Sequence, residues 1–103
     1  MLLKLENNKG IALLRAAQRS FQRLHQARAL VDAGMRADQA FSQLKPPVPV
    51  FARASTNARL VKWRSAQIEA ALGRLTRAEA GIKKGLPSGI ETEAALLSIA
   101  QSK

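Results

Sequence analysis

Pro46, Pro47 and Pro49 stand within four positions near the centre of a 103-residue chain that otherwise reads mostly as helix formers. Proline has no amide hydrogen to donate, clashes with the interior of a helix and pushes the residue before it toward extended backbone. No helix can run through this midpoint, so the fold must consist of two helical halves joined by the stretch from Pro46 to Arg53. As polyproline-like chain that stretch covers about 25 Å at roughly 3.1 Å per residue. It is long enough to cross one face of a domain, and as a strap it would turn Val48, Val50 and Phe51 inward. The alternative is a solvated connector.

On either side of the prolines the apolar residues recur at helical spacing. From Ile11 to Ala33, Leu13, Leu14, Ala17, Phe21, Leu24 and Val31 share one face, whereas Arg15, Arg19, Gln22, Arg23 and Gln26 gather on another. Gly34 supplies the glycine stop of a C-cap, and Ala37 to Leu44 forms a short second helix carrying Ala40, Phe41 and Leu44. The two make a hairpin. After the strap, Ser55 or Thr56 caps a short helix ending near Lys62, and Ser65 caps a longer one running to about Lys84. Its stripe is Ile68, Leu72, Leu75 and Ile82, interrupted by Gly73 and Gly81. Each glycine costs about 1 kcal/mol relative to alanine inside a helix, so these two predict close helix approach. Gly85 to Gly89 breaks the chain again, and Ile90 to Gln101 forms a terminal helix with Ala94, Leu97 and Ile99 or Ala100 inward. No strand-length alternating run is present. The expectation is an all-α fold, a compact bundle of about five helices with an extended Pro-rich crossing between its two halves.

A chain of this length makes one domain with a single modest core. With three Phe, one Trp and no Tyr, that core rests on Leu, Ala, Ile and Val. The absence of cysteine excludes disulfides and thiolate metal sites, and one histidine, His25, with few carboxylates makes a metal centre or other cofactor unexpected. The N-terminal run is broken by Lys4 and Glu6 and lacks a cleavage site, and no apolar run approaches the roughly 18 residues of a membrane span. A cytoplasmic location, no membrane and no small-molecule substrate follow as expectations. Residues 1–10 read as the end of a preceding segment or helix, and residues 11–103 as the domain itself.

Seventeen Lys and Arg against seven Asp and Glu leave a net charge of +10. Such a surplus favours nucleic acid, acidic protein faces or anionic lipid as partners. Arg59, Lys62 and Arg64 surround Trp63, which combines phosphate contacts with an aromatic for stacking; with Arg15, Arg19 and Arg23 they are the candidate DNA contacts. Trp63 as a core anchor and the arginine stripe as a solvated face are the plainer readings. There is no phosphate-cradling glycine loop followed by Lys and Ser or Thr, and no Ser, His and Asp trio, so no catalytic residue is expected. Glu79 falls within the apolar stripe of its helix, as Arg28 does within that of the first. Two opposite charges among apolar neighbours suggest a structural ion pair, Glu79 being at least half buried and joined to Arg28 first or Arg19 second. The alternative places Glu79 at a surface through imperfect periodicity.

The succession "LLRAAQRSFQRLHQARALVDAGM", "AFSQLKPPV" and "LVKWRSAQIEAALGRLTRAEAGIKKGLP" resembles the C-terminal domain of the delta subunit of the bacterial DNA polymerase III clamp loader. The likeness extends from about Leu13 to Ala100. Its landmarks are the arginine-rich opening helix, the glycine turn before Met35, the Lys45-Pro46-Pro47 break, Trp63-Arg64-Ser65, Ala78-Glu79, and Gly85-Leu86-Pro87. It departs from the family at "VPVFARAST", where members tend to be richer in aromatic and basic residues. The resemblance implies an all-helical collar, an oligomerisation domain that joins the gamma/tau and delta prime subunits in a hetero-pentamer loading the sliding clamp on primed DNA. It implies a non-catalytic module in which DNA is met weakly or through the complex. The other function open to these residues is a stand-alone basic helical nucleic-acid-binding domain.

Overall fold

The computed structural model describes residues 2–101, with side chains from residue 8 to residue 101. Among the described residues there are five α-helices and no strand: α1 (Leu2–Asp32), α2 (Ala37–Gln43), α3 (Arg53–Lys62), α4 (Ser65–Lys83) and α5 (Ser88–Gln101). The first helix is the spine. At 1.5 Å rise its 31 residues span about 46 Å, which matches the 47 Å long axis of the molecule. It extends the expected Ile11–Ala33 helix without a break through Gly10 to Leu2. α4 packs along α1 from Ile11 to His25, α5 crosses α1 at Gly10, and α2 and α3 pack against α1 and against each other.

Two glycine caps set the hairpins. Gly34, at φ 106°, donates to the Val31 carbonyl, and Met35 donates to that of Leu30, both at 3.0 Å. Gly85, at φ 104°, repeats the arrangement with Ile82, as Leu86 does with Gly81. A left-handed residue is needed at each place to satisfy the last carbonyls, and glycine reaches it without a Cβ penalty. The start of α4 is capped differently from the expectation. Arg64 holds the N-cap position, and the Gln67 side chain accepts from its amide at 2.9 Å. Ser55 and Thr56 lie inside the first turn of α3, where their hydroxyls donate back to the Ala52 carbonyl; the helix starts earlier, at Arg53, because the preceding 3₁₀ turn, Val50–Ala52, already winds the chain.

The core is continuous. Leu14, Phe21, Leu24 and Ala27 from α1 meet Phe41 and Leu44, Leu60, Ile68, Ala71, Leu75 and Ala78 from α4, and Ala95 and Ile99 from α5. On α4 the seam runs through Ile68, Ala71, Leu75 and Ala78, with Leu72 and Ile82 at its edge. On α5 the buried face is Ser88, Thr92, Ala95 and Ile99, so Ala94 and Leu97 point outward, contrary to the expectation from apolarity alone. Leu13 likewise is half exposed.

The strap is shorter than Pro46–Arg53. Only Leu44 to Pro49 lacks helical structure between α2 and the 3₁₀ turn, and the Lys45–Pro46 peptide is cis. Val48 is buried; its amide donates to the Phe41 carbonyl at 3.0 Å, and its own carbonyl accepts from Arg53 Nε at 3.1 Å. With both backbone groups bonded, the strap is docked rather than a solvated connector. Val50 and Phe51 do not pack inward. They are 80% and 90% exposed, because the 3₁₀ turn after Pro49 directs Ala52 toward the core and leaves these two on the outside.

Candidate interaction surfaces

Gly10 lets α1 and α5 approach at backbone distance. A Cβ placed on it would lie 2.7 Å from both the carbonyl carbon and Oγ of Ser88 and 2.8 Å from the Gly89 nitrogen. Thr92 Oγ1 donates to the Gly10 carbonyl at 3.0 Å in this buried crossing. Gly81 makes a second close approach, its missing Cβ facing Leu86 at 3.1 Å and the Glu91 carboxylate at 3.3 Å. Gly73, expected to do the same, faces open space. Beside the Gly10 crossing a groove of about 580 Å³ opens between α1 and α5, lined chiefly by Leu13, Ile90, Leu96 and Leu97 with Lys9 and Glu93. Leu13, Ile90 and Leu97 are 53%, 65% and 56% exposed there. The groove is not covered by another part of the described chain. Val50 and Phe51 on the 3₁₀ turn and Val61 near the end of α3 are exposed as well.

The expected ion pair does not form. Glu79 is about two-thirds buried, but Gln18 Nε2 donates to its Oε1 at 3.1 Å and Lys83 Nζ lies 3.9 Å from its Oε2. The reason is register along α1. Gln18 and Arg28 are ten residues apart, about 15 Å along the helix axis, so an arginine at 28 is out of reach of a carboxylate docked at 18. Arg19 is adjacent in sequence but turned about 100° around the helix, on the face toward the proline strap. Arg28 instead joins Asp32 through Nη2 at 2.8 Å and Nε at 3.0 Å, and donates from Nη1 to the Leu60 carbonyl at 3.2 Å. Leu60 is in the last turn of α3, whose carbonyls have no partner within the helix. A guanidinium there satisfies one of them and complements the helix dipole.

The candidate DNA contacts separate in space. Trp63 is only 6% exposed and meets Phe21 edge to face, with ring centroids 5.1 Å apart. It anchors the α3–α4 junction in the core and offers no face to a base, which removes its stacking role and leaves the plainer reading. Arg59, Lys62 and Arg64 are exposed. Arg15 lies beside Glu79 and Lys83, whereas Arg19 and Arg23 face the strap. Arg19 and Arg23 are joined there by Lys45, Gln22 and Gln26, and Arg59 lines the adjoining cleft. Lys45 falls outside the expected set because it is twenty-two or more residues from either arginine in sequence; its position beside the helix-stopping prolines is the one available signal. His25 Nε2 lies 3.5 Å from Glu69 Oε1 as an exposed pair. Among the described residues no cluster of three or more His, Cys, Asp or Glu could hold a metal ion, and no helix is long and apolar enough to cross a membrane.

The arrangement defines a small helical bundle with an uncovered apolar groove and a basic one. No family model, curated protein or solved structure matches the chain.

Proposed function

We propose that this chain is a helical assembly module, the collar domain of a clamp-loader delta subunit, acting without chemistry of its own in the complex that loads the sliding clamp during DNA replication. The observation that carries the reading is the α1–α5 groove, where Leu13, Ile90 and Leu97 remain exposed beside a tightly closed helix crossing. A patch of this kind on a rigid backbone favours a protein partner, because its burial releases apolar surface while requiring little ordering of the chain. The sequence landmarks of the resemblance also fall on the joints of the fold: Gly34 and Gly85 at the caps, Lys45-Pro46-Pro47 at the strap, and Trp63-Arg64-Ser65 between α3 and α4. In this reading the partners are the gamma/tau and delta prime subunits, and the chain resides in the cytoplasm.

The test is co-elution of the purified chain with gamma/tau and delta prime subunits in size-exclusion chromatography at several salt concentrations. Association is expected to survive high salt, since apolar burial is not screened. A Leu13→Lys, Leu97→Lys variant that keeps its helical circular dichroism is expected to lose it. Association unaffected by those charges, or no association of the native chain with any subunit, refutes the proposal.

A further inference from the structure

A second groove, of about 620 Å³, runs between α1 and the proline strap. Arg19, Gln22, Arg23 and Gln26 form one wall at successive helical turns, and Lys45 with the strap prolines forms the other. It continues past Arg23 and Pro49 into a smaller cleft of about 180 Å³ that bears Arg59. None of these four cationic side chains has an ion-pair or hydrogen-bond partner among the described residues. No carboxylate lines either cleft, and three of the acidic groups are engaged elsewhere: Asp32 with Arg28, Glu69 with His25, and Glu79 with Gln18 and Lys83. Like charges left facing one groove repel one another and favour an anionic occupant.

We propose that this groove binds the phosphate backbone of single-stranded nucleic acid. Apart from the prolines, the larger groove is lined only by basic and amide side chains, in contrast to the α1–α5 groove, and apolar residues enter only in the smaller cleft beyond it. Arg19 and Arg23 are one turn apart, about 6 Å along the helix, and their guanidinium forks match phosphate oxygens. Gln22 and Gln26, similarly spaced, offer both donors and acceptors to sugars and base edges. Phe51 supplies the second part of the argument. It is the one exposed aromatic among the described residues, 90% accessible, and it stands in the chain between Pro49 and Ala52, which line the clefts; an exposed ring at the margin of a cationic track offers a stacking face to unpaired bases. Stacking of this kind requires bases free of a complementary strand, which selects the single-stranded form. This site does not depend on the collar reading.

The test is fluorescence anisotropy of the full chain with labelled oligothymidylate and with a duplex of equal length, across a salt series. The single strand is expected to bind more tightly. Replacing Arg19→Gln, Arg23→Gln and Lys45→Gln is expected to weaken it about ten-fold or more and to flatten the salt slope by about 2, at roughly 0.7 for each phosphate no longer neutralised. A control carrying Arg74→Gln, Arg77→Gln and Lys84→Gln removes the same three charges, from +10 to +7, and is expected to bind nearly as the native chain does. Phe51→Ala is expected to weaken single-strand binding by roughly five-fold or more while sparing the duplex. Equal losses in the groove and control variants, tighter duplex binding, an unaffected Phe51→Ala, or equal displacement by polyglutamate would each overturn the proposal. Subunit association measured on the groove variant separates the two readings, since the collar contact is expected to persist in it.

Discussion

Replacing Gly10 by alanine tests the contact that closes α1 on α5. The added methyl would sit 2.7–2.8 Å from backbone atoms of Ser88 and Gly89, closer than any unstrained carbon contact, and backbone cannot rotate aside as a flexible side chain does. The helices must separate, at a cost of about 1–3 kcal/mol for overpacking. Separation also stretches the Thr92 Oγ1 bond to the Gly10 carbonyl, and a buried group left unsatisfied costs about 1–3 kcal/mol more. Alanine regains about 1 kcal/mol of helix propensity. The net expectation is destabilisation of about 2–4 kcal/mol, which for a domain of this size lowers Tm by on the order of 10–25 °C. Urea and thermal unfolding followed by circular dichroism give the number. Gly73→Ala is the internal control: nothing lies within 4 Å of its Cβ position, so the same substitution on α4 is expected to stabilise by about 0.5–1 kcal/mol. A Gly10→Ala protein as stable as the native one would show that α1 and α5 do not cross at Gly10.

Trp63→Ala is expected to cost about 3–5 kcal/mol in stability, because it vacates the core beside Phe21; unchanged unfolding with reduced nucleic-acid binding would return Trp63 to the surface. Arg28→Ala should destabilise more than Asp32→Ala, since only the former frees the Leu60 carbonyl, and a double-mutant cycle should assign the exposed Arg28–Asp32 pair less than about 1 kcal/mol. Glu79→Gln retains an acceptor for Gln18 and is expected to change stability by less than about 1 kcal/mol. A loss of roughly 3 kcal/mol or more would instead mean that a buried charge pair had been broken.

Helix content, the hairpin stops at Gly34 and Gly85, and the interruption at Pro46 and Pro47 are legible in the chain because each depends on local backbone chemistry. A glycine reaches positive φ, and a proline lacks a donor, whatever surrounds it. The burial of Leu24, Phe41, Leu75 and Ile68 is legible for a related reason: helical periodicity is local, and one face of each helix has to become the core. The choice among marginal positions is not. Apolarity favours Ala94 and Leu97 on α5, whereas the tight crossing at Gly10 turns the small polar residues Ser88 and Thr92 inward and leaves Leu97 outside.

Partner choice also depends on three dimensions. Both Arg28 and Glu79 stand out as charges on apolar faces, yet their pairing depends on the axial register of α1 against α4, and that register brings Gln18 to Glu79 and the end of α3 to Arg28. The aromatics divide in the same way. Neighbouring residues leave Trp63 open between a stacking surface and a core anchor, and the α3–α4 junction decides for the core by enclosing it. Phe51 reads as inward-facing, but the docked Val48 and the 3₁₀ turn after Pro49 leave it outside. Where helices begin and stop, and which broad face of each is apolar, can be read along the chain because both follow from interactions within a few residues. Which helices touch, at what level along their axes, and which charges remain unpaired emerge only on folding, because contacts such as Gly10 with Thr92 join residues 82 positions apart and have no local signature.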